Sequence, residues 1–420
     1  MSHNLNLKNT LAPLFLLNAF FFTVFSINVF GLNFHIGFFG IALLVIFYLK
    51  KYGLNCSAFT KKFILWFIPL GILNVWVGLH MPCAHLHLKM CLTIIAFTAT
   101  VLLAIEIAQQ SKEQAWRYVG NMSLFIMLIY LLGVILEMIF PEWWPLKAGY
   151  QKQKMWSGFA TEPSFLAQLI PPLALFAQLS KHIYARGLAI LLLMVFVLLS
   201  SSLTMIVLST IAILLVGFMY IRNLLNLKVS ILLIICPLIG FAIFIFFINP
   251  ETIKAFSPYI YYRIEFIYNS TRTLNYSGLL FVQTWLDSMY SLKHNVGMGA
   301  GINQAGCFPR VSGDILELAS RRGPIHQYMD GNVMMAKVIY EWGVIGILFF
   351  TFLTGSAVKI IYSKQSSQQQ SIFASVAVLT VATYMTRSNT YFEHTWWFLV
   401  IPFMIRYNGS SLNKNFNNNA

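Results

Sequence analysis

Apolar residues run along this chain in long unbroken stretches, separated mostly by short polar ones. Twelve stretches can be read, at 11–30, 33–49, 63–80, 88–108, 119–140, 163–180, 187–202, 203–221, 229–248, 338–360, 372–387 and 394–407. Most are roughly 18–22 residues long, the length of an α-helix that crosses a hydrocarbon layer about 30 Å thick. A transmembrane barrel would instead show alternating strands of ~10 residues. The run from 187 to 221 is too long for one span. The triplet Ser200-Ser201-Ser202 divides it into two short spans with a tight turn, or into one tilted span and a buried segment. The pattern therefore predicts an all-α integral membrane protein, a single polytopic domain over 1–420 with about twelve transmembrane helices.

Composition agrees. The chain has 420 residues, of which 58% are hydrophobic, 16% aromatic and only 10% charged, with a mean hydropathy of +0.71. A soluble domain carries about 25% charged residues, and so few charges cannot make a hydrated shell. A net charge of +15 in a soluble chain would suggest nucleic acid. Here the bases sit between spans: Lys50, Lys51, Lys61 and Lys62; Lys112 and Arg117; Lys181 and Arg186; Arg222 and Lys228; Lys359 and Lys364. Alternation puts all of them on one side together with both termini, and that side is cytoplasmic by the retention of positive charge. No nucleic-acid partner is expected. No cleavable signal peptide is evident, and the first apolar run is long enough to remain as a span. The five cysteines are scattered and form no disulfide framework. The polar tail 408–420 is expected to be disordered and cytoplasmic.

Two long segments then fall outside, at 141–162 and 249–337. Compact folds rarely spend about 90 residues on a passive connector, so chemistry is expected there. The first segment ends in Trp156-Ser-Gly-Phe-Ala-Thr-Glu162-Pro163. Proline suits the first turn of a helix, which puts Glu162 at the positive end of a helix dipole. Glu162 is either a cap for that helix or a carboxylate that can deprotonate a sugar hydroxyl. Lys147, Lys152 and Lys154 lie just upstream, where their charge suits an anion. The second segment carries Lys254, Arg263, Arg272, Lys293, Arg310, Arg321 and Arg322 beside Glu251, Glu265, Asp287, Asp314, Glu317 and Asp330. Arginine outnumbers lysine, and its guanidinium fork matches phosphate oxygens in a bidentate way. Part of this set pairs with the segment's own acids. His326 follows Arg321-Arg322-Gly323, a grouping that suits a phosphate site. The run Asn295-Val-Gly297-Met-Gly299-Ala-Gly301 fits a tight turn or a backbone anion nest.

Other features have blander readings. His80, Cys83, His85, His87 and Cys91 are a His/Cys-rich tract whose spacing fits no standard zinc pattern. Pro171-Pro172 and Pro237 read as helix kinks, and Trp143, Trp144, Trp396 and Trp397 as interface-belt anchors.

Taken together, these motifs resemble a family. WSGFATEPSF resembles the glycine-to-EPS motif that opens a span after an exterior loop in O-antigen polymerases (the Wzy family) and in the related O-antigen ligases. The stretch from Arg272 through Trp285 to Gly297–Gly301 resembles the family's arginine, Trp-containing helix and G-x-G-x-G turn. His326 to Glu341-Trp-Gly343-Val-Ile-Gly346 resembles its histidine followed by E-x-G-x-x-G, although position 332, where that histidine usually falls, is Asn. Ser201-Ser202-Leu-Thr204 resembles a serine/threonine break in its middle spans.

The resemblance implies a bacterial inner-membrane enzyme with 141–162 and 249–337 as periplasmic loops. It would transfer a glycan from undecaprenyl diphosphate to a hydroxyl of another lipid-linked repeat unit. It implies Glu162, His326 and Arg272 as catalytic candidates. Lys147, Lys154, Arg263, Arg310, Arg321 and Arg322 are then substrate-binding candidates. A chain-length regulator (a polysaccharide co-polymerase) is implied as a partner. The diphosphate is already a good leaving group, so neither a cofactor nor a metal is expected. A ligase, or a capsule or exopolysaccharide polymerase, fits the same motifs. A lipid-linked-oligosaccharide flippase is disfavoured, because Glu106, Glu137 and Glu341 lie near span ends and not at the midplane.

Overall fold

The computed structural model of the protein describes residues 10–20, 26–29, 32–53, 57–81, 87–141, 156–160, 163–200, 202–221, 251, 254, 261, 276–304, 333–363, 365–387 and 395–405. In chain order these form α1 (Leu11–Phe20), a hairpin of β1 (Ser26–Val29) and β2 (Leu32–His35), α2 (Gly37–Tyr52), α3 (Ala58–Leu79) and α4 (His87–Gln110). Then come α5 (Glu113–Ile139), α6 (Pro163–Ala177), α7 (Ile183–Leu199), α8 (Leu203–Ile221) and α9 (Tyr276–His294). The last elements are α10 (Met334–Trp342), α11 (Val344–Tyr362), α12 (Gln368–Thr386) and a 3-10 turn at Thr395–Leu399.

Among the described residues, five segments are long and apolar enough to cross a membrane: Thr60–Leu79, Met90–Gln110, Glu113–Ile139, Leu203–Ile221 and Val344–Tyr362. The outward faces are apolar, with Trp66 75%, Leu198 80% and Leu348 61% exposed. Water would drive such faces together, whereas lipid solvates them. The fold is that of a helical membrane protein. Leu11–Phe20, Phe39–Lys50, Ser164–Ala177, Ile183–Leu199 and Trp396–Ile405 are apolar but shorter than a full span. The expected stretch at 229–248 lies outside the described residues.

Three expectations change. The run at 11–30 is not one helix: α1 stops at Phe20, and Ser26–Val29 pairs antiparallel with Leu32–His35. The reason is a local period of two. Ile27 pairs with Phe34 and Val29 with Leu32, while Asn28 pairs with Asn33, so apolar and polar residues alternate in register along the two strands. The run at 338–360 is broken at Gly343, whose φ of +60 ends α10 and starts α11. Trp396 and Trp397 are not belt anchors. Both are buried, and Trp396 stacks on Phe20 with centroids 5.4 Å apart and meets Phe176 edge-on. Trp143, Trp144 and Pro237 lie outside the described residues, and α6 runs on through Pro171 and Pro172.

Contacts between helix ends define two faces of the bundle. At one, Glu106 near the end of α4 meets the start of α3 and the end of α2. Its Oε1 accepts from the Ser57 amide at 2.8 Å and from the Thr60 hydroxyl, and its Oε2 accepts from the Tyr48 hydroxyl at 3.0 Å. The same face carries the start of α5, where Trp116 packs edge-on against Phe373 and Phe403. It also carries the ends of α6 and α8, joined through Gln178 and Tyr220, and the end of α11, where Tyr362 meets Phe218. Lys50, Lys61, Lys62, Lys112, Arg117, Lys181, Arg186 and Lys359 stand at or beside these ends, so this is the basic face. Glu106 is what joins α2, α3 and α4 there, since it caps the first turn of α3 at the positive end of its dipole. Glu106→Ala takes the acceptor from the Ser57 amide and one bond each from the Thr60 and Tyr48 hydroxyls; a loss of about 2 kcal/mol is expected, read as a lowered melting temperature of the detergent-purified protein.

Candidate functional site

At the opposite face two irregular segments are docked into the bundle. The first is 156–160, the described part of the loop that leads to Glu162. Glu137, in the last turn of α5, is fully buried, and its Oε2 accepts from the Ser157 amide at 2.8 Å and the Gly158 amide at 2.6 Å. The loop approaches this closely because two side chains are missing. A Cβ on Gly133 would lie 2.6 Å from the Phe159 ring, and one on Gly158 would lie 2.8 Å from the Val134 nitrogen. Gly158 also holds a φ of +57. On its other flank the loop reaches the break between α7 and α8, where the Trp156 amide donates to the Leu199 carbonyl at 3.4 Å. That break lies where the Ser200–Ser202 triplet was expected to interrupt the run. Ser200 ends α7, and the Ser202 hydroxyl accepts from the Met205 amide at 3.1 Å to cap α8. Four polar atoms around this loop, Glu137 Oε1, Ser157 Oγ, Ser164 Oγ and Ser200 Oγ, are buried with no hydrogen-bond partner among the described residues.

The second segment is the glycine run after α9. Helix α9 lies alongside α10, with Ser288 Oγ donating to the Ala336 carbonyl at 2.6 Å and Ser291 Oγ to the Tyr340 carbonyl at 2.9 Å. The chain then turns, and the Ala300 amide donates to the Tyr340 carbonyl at 2.8 Å and the Gly301 amide to the Glu341 carbonyl at 3.0 Å. In return the Val344 amide donates to the Gly297 carbonyl at 2.8 Å. The last carbonyls of a helix lack intrahelical partners, and here the turn supplies them. Asn74 of α3 closes the arrangement: its Nδ2 donates to the Glu341 carbonyl at 2.9 Å and its Oδ1 accepts from the Ile302 amide at 2.8 Å. Asn303 and Gln304 reach α4 through Thr93 and Met90. The amides of 300, 301 and 302 are thus spent on protein acceptors, which makes this run a tight structural turn and not an anion nest.

The turn is inserted, not perched. Asn74 lies five residues before the end of α3, about 7 Å of helix, and Ala300, Ile302 and Gln304 are completely buried. Irregular backbone is tolerated at such depth only where protein satisfies it. The sequence pattern therefore split one structural unit in two: Gly297–Gly301 and Glu341–Gly343 are partners. Asn74 and Glu137 were legible only as isolated polar residues within apolar runs, with no local signal for what they hold.

Lys147, Lys154, Glu162, Arg263, Arg272, Arg310, Arg321, Arg322 and His326 lie outside the described residues. Helix α6 does begin at Pro163, so Glu162 immediately precedes a helix in the chain. In the His/Cys tract, His80 Nδ1 donates to the Trp76 carbonyl at 2.8 Å and Cys91 is exposed; Cys83 and His85 are outside the described residues. Among the described residues no group of three metal-ligating side chains occurs.

The turn makes a graded prediction. Gly301 has a φ of +88, and its added Cβ would lie 2.3 Å from the Gly78 Cα, backbone against backbone. An added Cβ on Gly78 would instead meet the end of the Met90 side chain at 2.4 Å, and that side chain can move. Gly301→Ala is expected to cost on the order of 3 kcal/mol and Gly78→Ala about 1 kcal/mol, read as melting temperatures in detergent.

Compared with known proteins, the chain matches no family model, no curated protein and no solved structure.

Proposed function

We propose that this protein is an inner-membrane glycosyltransferase, an O-antigen polymerase that joins lipid-linked repeat units on the periplasmic side. The observation that carries this reading is the convergence of its motif segments. Trp156–Ala160 meets the Ser200 break, and the Gly297–Gly301 turn meets Glu341–Gly343, both on the face opposite the basic one. The chain leading to Glu162 and the arginine-bearing segments on either side of α9 are attached at that face. The spare polar atoms beside Glu137 suit a ligand rich in hydroxyls. Between α3, α4, α10 and α11 lies an apolar cavity of about 250 Å³, lined by Phe67, Phe97, Val338, Trp342, Phe349 and Trp397, which suits part of a hydrocarbon chain.

In this reaction the bond between the donor's anomeric carbon and the diphosphate oxygen breaks, and a glycosidic bond to the acceptor oxygen forms. The acceptor proton passes to Glu162 or His326. Undecaprenyl diphosphate departs with its charge held by Arg272 and neighbouring bases, the principal stabilisation such a transition state requires. No metal is needed for a leaving group that is already an anion of low basicity.

Purified protein given a synthetic lipid-linked repeat unit should produce a ladder of longer glycans; failure to extend the unit overturns the proposal. Glu162→Ala, Arg272→Ala and Arg322→Ala should each lower turnover about 100-fold or more while the protein stays in the membrane. Arg272→Lys should fail too, because a lysine cannot reproduce the bidentate contact. EDTA should leave the rate unchanged. Deleting the gene should leave lipopolysaccharide with a single repeat unit, whereas unmodified core with accumulated lipid-linked polymer would identify a ligase.

A further inference from the structure

We infer that α9 and the turn after it rest in the membrane. Leu286, Met289, Val296 and Met298 then face the lipid of the leaflet opposite the basic face, with Lys293 at the level of its phosphates. This holds independently of the reaction proposed above. The sequence pattern places α9 within the exterior segment 249–337, outside the twelve apolar runs. Its two sides, however, are the reverse of what water would select. Gln283, Ser288 and Ser291 are buried, and the two serines donate to the Ala336 and Tyr340 carbonyls of α10 at 2.6 and 2.9 Å. On the other side of the helix, at spacings of three and four, stand Leu286, Met289 and Lys293, all exposed, Met289 by 54%. A helix on an aqueous surface turns its polar stripe outward and its apolar stripe inward. With its hydroxyls spent on protein and its apolar side chains outside, α9 is suited to lipid as its solvent.

The turn extends the same surface. Val296 is 91% exposed, and Met298 is exposed as well. Between them the Gly297 carbonyl accepts from the Val344 amide at 2.8 Å, and a Cβ added to Gly297 would lie 3.0 Å from Val344 Cγ2. The turn is therefore flush with the first residue of α11, which is long and apolar enough to span a membrane. Val344 and Leu348, one turn apart on α11, are both exposed. The apolar surface of α9 and its turn thus continues a face that lipid covers in any case. Depth agrees, since the Ile302 amide is held by Asn74, about 7 Å of helix inside the end of α3. Lys293 and His294 close α9 with basic side chains. Their place suits the negative end of the helix dipole. The four-carbon stem of Lys293 also lets its ammonium reach the phosphate layer while Met289 and Val296 stay in hydrocarbon.

The test uses the full chain in nanodiscs of phosphatidylethanolamine and phosphatidylglycerol. The five native cysteines are replaced by alanine, and Met289→Cys, Lys293→Cys and Val296→Cys are made singly and labelled with bimane. Leu348→Cys is the lipid-facing reference, and Glu113→Cys, at an exposed position of the basic face, the aqueous one. Label at 289 and 296 should lose as much fluorescence as label at 348 to lipids carrying a nitroxide on the acyl chain, and little to iodide. Label at 293 should lose more to a nitroxide on the headgroup. A second readout leaves the chain unaltered: Met289 and Met298 should resist chloramine-T as well as the exposed Met194 of α7 does. Quenching at 289 and 296 by iodide, as at 113, puts this face in water and overturns the inference. Loss to neither quencher means that another protein surface, such as a second copy of the chain, covers the face, and overturns it too. If the cysteine-free chain does not fold, oxidation alone decides: rapid loss of Met289 and Met298 overturns the inference, and protection equal to that of Met194 upholds it.

Discussion

A backbone amide or carbonyl carried to membrane depth must find a partner inside the protein, because lipid offers none. Helices meet that demand by themselves. Two described segments that are not helical, 156–160 and 297–304, meet it by docking onto helix ends. Tyr340 and Glu341, at the end of α10, present carbonyls that their own helix cannot use, and the Ala300 and Gly301 amides take them. Asn74 then serves both sides at once, donating to Glu341 and accepting from Ile302. An orphan acceptor and an orphan donor cancel, and a turn that would be intolerable in hydrocarbon becomes a cross-brace between α3, α10 and α11.

Carboxyl groups do the same work at both faces. Glu106 gathers the amide of Ser57 just before α3, the Thr60 hydroxyl and the Tyr48 hydroxyl; Glu137 gathers two amides of the 156–160 loop. Each replaces the water that a soluble protein would supply at a helix end. The two differ in what they leave over. Glu106 is engaged through both oxygens, whereas among the described residues Glu137 has an oxygen without a partner, as have the hydroxyls of Ser157, Ser164 and Ser200 around the same loop. At the basic face Glu106 is thus fully engaged, whereas the opposite face keeps polar capacity around the 156–160 loop.

The helix pattern was legible because a bilayer imposes its thickness on every span. The runs at 63–80, 88–108, 119–140 and 203–221 correspond to α3, α4, α5 and α8 within a few residues. Basic residues marked one side for the same reason: Lys50, Lys61, Lys62, Lys112, Arg117, Lys181, Arg186 and Lys359 fall on one face, while Lys293, Lys337 and Arg387 stand toward the other. Misreadings came where apolar content was right but its use was different. Ile27, Val29, Leu32 and Phe34 are as apolar as a helix needs, yet Asn28 and Asn33 between them set a period of two. Trp396 and Trp397 have the composition of an interface anchor, but Phe20 and Phe176 close over Trp396 and draw it into the core.

Sequence by itself determined that the chain is a helical membrane protein and roughly where most of its apolar helices lie. These are consequences of hydropathy, length and local chemistry, and neighbouring residues suffice to express them. Tertiary structure alone decided that the Gly297–Gly301 turn and Gly343 are one joint, that Asn74 reaches across more than two hundred residues to hold it, and that Glu137 holds the amides of Ser157 and Gly158. The physical reason is that a hydrogen bond between distant residues leaves no periodic trace. A glycine reads as a glycine whether it faces lipid or another backbone, and only the folded chain shows what lies 2.3 Å from its missing side chain.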